Sequence, residues 1–322
     1  MEGGDLREGG SWTPLQRAKN DALWVLATVA LAATRHLPLS ALRALGHGIG
    51  ALAHGFGRGA RERALANVAA SLPELDDVAR RALVRRCFAA LGEVLGETVA
   101  LLRERGRPPP LPLSTEARAT LDEARADGRG VLFASAHLGP WERVAASLVA
   151  AGVPLVALAR ESYDPRFMSV YERLRTSSGV RVVWRSSPAA PLAIVRALRR
   201  GEVLGVPMDL RSRVPSIEVP FLGRPAPTPL GPAKIALRAG SAVVVGTVAR
   251  APLAPISAPS ARGVGSLGPL EVTATRIPLD DLRRAPDGAA LLTARINDEL
   301  SRRIRALPDA WVWMHERWEN ML

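Results

Sequence analysis

Apolar and polar positions follow two rhythms along this chain, and one gives way to the other near residue 110. The first ten residues are Gly-rich and charged and read as disordered. Residues 22–34, ALWVLATVALAAT, then form an unbroken apolar run flanked by Arg17, Lys19 and Arg35. The run is shorter than the roughly 20 residues that a perpendicular membrane span requires, so an interfacial helix fits it as well as a span. A basic flank ahead of a short apolar core also resembles a signal peptide. No small-residue cleavage site followed by an extracellular type of sequence supports that reading, and an uncleaved anchor is preferred. Residues 39–56 continue with small and apolar side chains, and residues 58–103 repeat apolar positions at helical spacing in two amphipathic stretches. Asn67, Pro73 and the turn at Leu75, Asp76 and Asp77 separate those two stretches.

The proline-rich joint RPPPLP at 107–112 marks the expected boundary between a helical, membrane-associating region, 1–110, and a second domain, 111–322. Beyond the joint, short apolar runs at 131–136, 153–159, 180–184, 203–208, 242–248 and 270–275 alternate with helical stretches. This alternation predicts an α/β fold with a mainly parallel central sheet flanked by helices. Residues 251–269, rich in Pro, Ser, Ala and Gly, read as a long surface loop, and no internal repeat is visible.

Parallel sheets carry their chemistry in the loops after their strands, and His137, Arg160 and Asp209 each directly follow an apolar run. The stretch 131–152 reads as strand, tight loop and helix, with His137 at the strand tip, Pro140 in the first helical turn and Glu142 close behind. A neutral imidazole takes a proton from a hydroxyl near neutral pH, and a carboxylate across the loop orients it. The plainer alternative is a loop histidine bonded to a backbone carbonyl, with Glu142 as a charge at a helix N-terminus.

Composition narrows the partners. The formal net charge of +12 is carried almost wholly by arginine, lysine occurring only as Lys19 and Lys234. Such a surface attracts an acidic protein, anionic lipid headgroups or nucleic acid. The last is the weakest, since no zinc-finger spacing or basic-aromatic RNA motif occurs. The single cysteine, Cys87, lies in an apolar helical pattern, which excludes internal disulfides and suggests a core residue. His47 and His54 lack acidic or Cys partners at ligand spacing, and H-x-x-x-x-E lacks the paired histidines of a helical zinc site, so no metal is expected.

AHLGPWE resembles the H-F-G-N-W-E block of the bacterial lipid A late acyltransferases, a branch of the lysophospholipid and glycerolipid acyltransferase superfamily with an H-x-x-x-x-D/E signature. Residues 207–248 and the ending PDAWVWMHERW are similar to two further blocks of that family, in the same order. The resemblance implies direct acyl transfer by a His137 and Glu142 pair, without a covalent acyl-enzyme and without a cofactor. The donor would be an acyl carrier protein or CoA thioester, and the acceptor an anionic glycolipid such as a lipid A precursor. The site would lie at the cytoplasmic face of the inner membrane.

Arg160 ends PLVALAR, similar to the family strand ending in Y-R, and would hold a phosphate or carboxylate or polarise the thioester carbonyl, the plainer alternative being a surface arginine that caps a strand end. Asp209 stands where the family has D-Q, although Leu210 replaces the Gln; it would brace Arg160 or orient the acceptor sugar. Glu218, Phe221 and Gly223 belong to the IEVPFLG turn, which in the family borders the acyl and acceptor sites, while core packing alone would explain Phe221. Thr228 and Lys234 have weaker claims, and the tryptophans at 311, 313 and 318 read as core. Two alternatives remain: an acyl-CoA-dependent glycolipid or phospholipid acyltransferase, and a lipid-binding protein without turnover.

Overall fold

The computed structural model describes residues 11–103, 106–212, 214–251 and 267–318. Four helices open the chain: α1 (Pro14–Thr34), α2 (Leu39–Phe56), α3 (Arg58–Ser71) and α4 (Asp77–Leu101). α1 begins well ahead of the apolar run because Thr13 and Gln16 form a reciprocal capping box and Pro14 suits the first helical position. Among the described residues no helix is long and apolar enough to cross a membrane. α4 starts at Asp76, whose carboxylate accepts from the Ala79 amide at 2.7 Å. Asn67 is no break. It lies inside α3, buried, and donates to the carbonyls of Trp313 and His315 at 2.7 and 3.1 Å.

α2 packs against α4 backbone to backbone. A Cβ at Gly46 would fall 2.0 Å from the Gly92 carbonyl oxygen, and one at Gly50 would fall 2.1 Å from that of Phe88. Glycine is required at this contact for closeness of approach. Around it α4 buries two glutamates. Glu97 accepts from Arg43 and from Arg143, and Glu93 meets His47 Nδ1 at 2.8 Å.

The strands are β1 (Val131–Ser135), β2 (Leu155–Ala159), β3 (Arg181–Trp184), β4 (Val203–Pro207), β5 (Ser216–Phe221), β6 (Arg224–Pro229), β7 (Ala242–Arg250) and β8 (Leu270–Arg276). Six of them form one sheet in the order β3-β2-β4-β1-β7-β8, parallel except for β8, which runs antiparallel to β7. The helices α5 (Thr115–Ala126), α6 (Trp141–Ala150), α7 (Met168–Thr176), α8 (Ala190–Arg199), α9 (Gly231–Ala239) and α10 (Gly288–Ala306) flank it. All six apolar runs of the sequence are strands of this sheet. Pro140 is the residue before α6 rather than within its first turn, with ψ at 68°.

The sequence pattern reads IEVPFLG as a turn, whereas β5 and β6 form a separate antiparallel hairpin there. Prolines at 220, 225, 227 and 229 hide it, because proline removes a ladder donor. Leu222 and Gly223 close the hairpin with φ of 51° and 79°, and the buried Leu222 donates its amide to Ser301 Oγ on α10 at 2.8 Å. The first ten residues, and 252–266 of the proline-, serine- and glycine-rich stretch, lie outside the described residues. One buried core includes Val68, Leu83, Val84 and Phe88 from the opening helices together with Phe133, Leu138, Trp311 and Trp313.

Candidate active site

β1 and β4 are parallel neighbours in which Ser135 stands opposite Pro207, and the pairing ends with the Met208 amide donating to the Ser135 carbonyl at 2.9 Å. His137 and Asp209 each lie two residues beyond that last pair, so equal offsets on adjacent strands deliver them side by side. The Asp209 carboxylate accepts the His137 amide at 2.8 Å on Oδ2 and meets His137 Nδ1 at 2.9 Å on Oδ1. Trp311 Nε1 donates to Oδ2 at 2.8 Å. An ionised carboxylate only accepts, so Nδ1 carries the hydrogen and Nε2 the lone pair that can receive a substrate proton.

Asp209 has 0% exposure, while the His137 side chain keeps 26%. Burial alone would raise the Asp209 carboxyl, but the His137 charge and the three hydrogen bonds outweigh it and hold the group below its usual value. Burial likewise opposes the imidazolium of His137. Asp209, with a smaller contribution from Glu142, reverses the balance and raises His137 above its usual value, against the nearby Arg175.

The loop is fixed from beneath. Gly139 has φ 62° and donates its amide to the Ala310 carbonyl at 2.9 Å, Leu138 bridges to Trp311, and Trp141 packs edge-on against the His137 ring at 5.1 Å. Ser135 Oγ donates to the Gly246 carbonyl at 2.8 Å, which commits it to the sheet.

Glu142 does not orient His137. It sits in the first turn of α6, where its carboxylate takes Arg175 Nη2 at 2.9 Å and Nε at 3.4 Å, and its influence on His137 is electrostatic. The guanidinium of Arg175, in the last turn of α7, also lies 5.7 Å from the Trp184 ring centre. Nor does Asp209 brace Arg160, because its bonds go to His137 and Trp311; Arg160 directly follows β2 and is exposed.

Phe221 is core, with 0% exposure, and packs 5.6 Å from Trp311 and 6.1 Å from Trp318. Glu218 on β5 and Gly223 in the hairpin turn are exposed, and no hydrogen bond joins either to the dyad. Thr228 is buried, accepting from Asn297 at 2.9 Å and Arg317 at 2.7 Å, and Lys234 is exposed on α9. Sequence reasoning misses Trp311 as a ligand of Asp209, since an indole that fills a core and one that also donates from it look alike in one dimension. Cys87 donates to the Trp311 carbonyl at 2.9 Å, and burial pushes its thiol up to about 12, which leaves it inert. Among the described residues no group of three or more His, Cys, Asp or Glu is arranged to hold a metal.

Comparison with known proteins adds two findings. The model of the family described as bacterial lipid A biosynthesis acyltransferase matches residues 14–320. A phosphatidylinositol mannoside acyltransferase of Mycobacterium tuberculosis (strain CDC 1551 / Oshkosh) is 31% identical over 129 residues, 38% of this chain. The chain spans 40% of the length of that relative.

Proposed function

The chain belongs to the bacterial lipid A biosynthesis acyltransferase family, and from that premise we propose that it moves a fatty acyl chain from a carrier thioester to a hydroxyl of an anionic glycolipid, with His137 as the general base. The observation that carries the reading is the buried Asp209, which binds the His137 amide and Nδ1 together and so leaves Nε2 as the ring nitrogen it does not engage, on a side chain that keeps part of its surface open. Nε2 takes the hydroxyl proton as the oxygen attacks the thioester carbonyl carbon. The carbon–sulfur bond breaks as the tetrahedral intermediate collapses, and the imidazolium returns the proton to the departing thiolate. The acyl group never bonds to the protein. Asp209 fixes the tautomer and stabilises the imidazolium, as a buried carboxylate does beside a catalytic histidine. Glu142 adds to that stabilisation through space.

The family supports a lipid A precursor as acceptor. A second reading, an acceptor of the phosphatidylinositol mannoside type, is supported by the mycobacterial relative. Acyl carrier protein and acyl-CoA are both anionic donors that suit a chain of net charge +12. The exposed apolar residues of α1 and α2 support attachment to a membrane surface, which we assign to the cytoplasmic face of the inner membrane, where such donors are made. The test is transfer of a labelled acyl chain by the purified protein, from acyl carrier protein and from CoA, to each acceptor class. Lipid mass spectrometry of the host with and without the gene accompanies it. Ester product on a glycolipid is expected; absence of acyl ester from both donors on every acceptor, with unchanged host lipids, refutes the reading.

A further inference from the structure

Arg317 has 0% exposure, and among the described residues no carboxylate forms an ion pair with it. Its Nη1 donates to the Pro227 carbonyl and its Nη2 to Thr228 Oγ1 at 2.7 Å, while Nε, also buried, has no partner. Neutral acceptors do not offset the cost of burying a cation that stays charged at every working pH. A compensating negative charge should therefore lie close by. The guanidinium carbon is 4.6 Å from the Phe221 ring centre, Phe221 packs 5.6 Å from Trp311, and Trp311 is bonded to Asp209 at 2.8 Å. These ring contacts link two wholly buried groups of opposite charge, and charges interact across a low-dielectric interior at distances where water would screen them.

We infer that Arg317 is a positioning residue for the acyl-transfer dyad, its fixed positive charge holding Asp209 ionised and favouring the neutral, proton-accepting form of His137. The inference rests on the reading of His137 as the base. Its electrostatics agree in sign: burial brings the guanidinium of Arg317 down to about 10, and Asp209 is the charge that opposes this. The charges that act on His137 beside Asp209 are Glu142 on α6, which favours the imidazolium, and Arg175 on α7, which disfavours it. His315, on the C-terminal segment, is itself lowered by burial and by His137. Arg224 is a further cation on the same aromatic cluster, its guanidinium 5.0 Å from the ring centre of Trp318, which packs 6.1 Å from Phe221. Removing the Arg317 charge leaves the surroundings of His137 more negative, so His137 should titrate at higher pH.

The experiment follows the His137 ring by proton NMR across pH in the wild type and in Arg317→Met, Arg317→Gln and Arg317→Lys, with the signal assigned by its loss in His137→Ala and folding checked by thermal denaturation. Met keeps volume without charge, Gln keeps a donor for Thr228 or Pro227, and Lys keeps the charge. Both neutral variants are expected to raise the His137 midpoint by about half a pH unit or more, with roughly threefold less turnover at a fixed pH on the acid limb. The lysine variant is expected to titrate like the wild type. A folded neutral variant with an unmoved midpoint overturns the inference. If neither neutral variant folds, the lysine variant decides, and a shift of half a unit or more overturns the inference there. The titration needs no turnover, so failure of the acyl-transfer reading would leave this result standing on its own.

Discussion

A carboxylate with no exposed surface holds one histidine by two bonds, one to its backbone amide and one to its imidazole, and the chemistry of single residues here follows from that arrangement. His137→Ala removes the proposed base and should lower transfer by about 10² to 10⁴-fold in a folded protein. Asp209→Asn should approach that loss, because an amide can donate to Nδ1 and turn the ring into the wrong tautomer. Glu142→Gln should cost less, since its effect passes through space and its carboxylate is committed to Arg175. Steady-state rates of the three variants check this order, and a Glu142→Gln enzyme weaker than Asp209→Asn would reverse the assignment of the orienting carboxylate. The pH dependence separates activity from stability. His137 has a raised folded-state pKa, so its contribution to stability is full below its ordinary 6.5 and is lost as pH rises through the folded value. Asp209 is lowered, so its contribution is full above its ordinary 3.8 and is lost as pH falls through the folded value. Melting temperatures of wild type and Asp209→Asn should therefore differ most between pH 3.8 and 6.5, whereas turnover should rise only above that window, as the ring becomes neutral. His137 is legible from the sequence because a loop histidine after an apolar run is a local signal. Its true partner lies 72 residues away, and nothing local states which strands are neighbours.

Elements here are held by closeness of backbone as much as by side-chain packing, and the α2–α4 contact shows where. Gly50→Ala would drive its Cβ into the Phe88 carbonyl 2.1 Å away, and Gly92→Ala into that of Gly46 at 2.0 Å. Each should destabilise by about 1 to 3 kcal/mol, the usual cost of overpacking. Gly48 lies on the same helix, and a methyl group added there would meet nothing within 4 Å, so Gly48→Ala should instead stabilise by up to about 1 kcal/mol through helix propensity. Chemical denaturation of the three variants checks the opposite signs; equal effects would mean that the helices do not meet along this glycine line. The helices are readable because apolar positions recur at helical spacing, and the six sheet strands because each is a short apolar run. The β5–β6 hairpin is not, since its pairing uses alternate positions occupied by prolines and its turn places a leucine at φ 51°, choices that only the anchoring of Leu222 to Ser301 accounts for. The α2 glycines are visible as small residues. Their role depends on a partner helix whose identity the spacing does not name.

On the whole molecule, the apolar residues without a partner gather at the N-terminal end. α2 buries Leu42, Gly46 and Gly50 against α4 and leaves Leu45, Ile49, Leu52 and Phe56 exposed, a second stripe at helical spacing on another face. α1 adds Leu23, Val25, Leu26 and Val29, each about half exposed or more. Exposed apolar residues in this number call for a cover, and with a net charge of +12 behind them an anionic lipid surface meets both requirements. α1 is also tied to the α/β part, since Arg166 bonds Asp21 at 2.7 Å and Trp24 packs on Phe167 at 5.0 Å, so deleting the helix would disturb more than the proposed attachment. Point changes on the open stripe avoid that. Leu52 and Phe56 are 61% and 87% exposed, and replacing both by glutamate should leave the melting temperature nearly unchanged. If the stripe enters a bilayer, each side chain contributes about 1.5 to 3 kcal/mol of apolar burial, so the double variant should bind vesicles at least about a hundredfold more weakly. Co-sedimentation with phosphatidylglycerol vesicles at low and high salt measures it. Raised salt should weaken the wild type through its charge yet leave residual binding through the stripe, and wild-type binding by the double glutamate variant would show that the membrane meets another face.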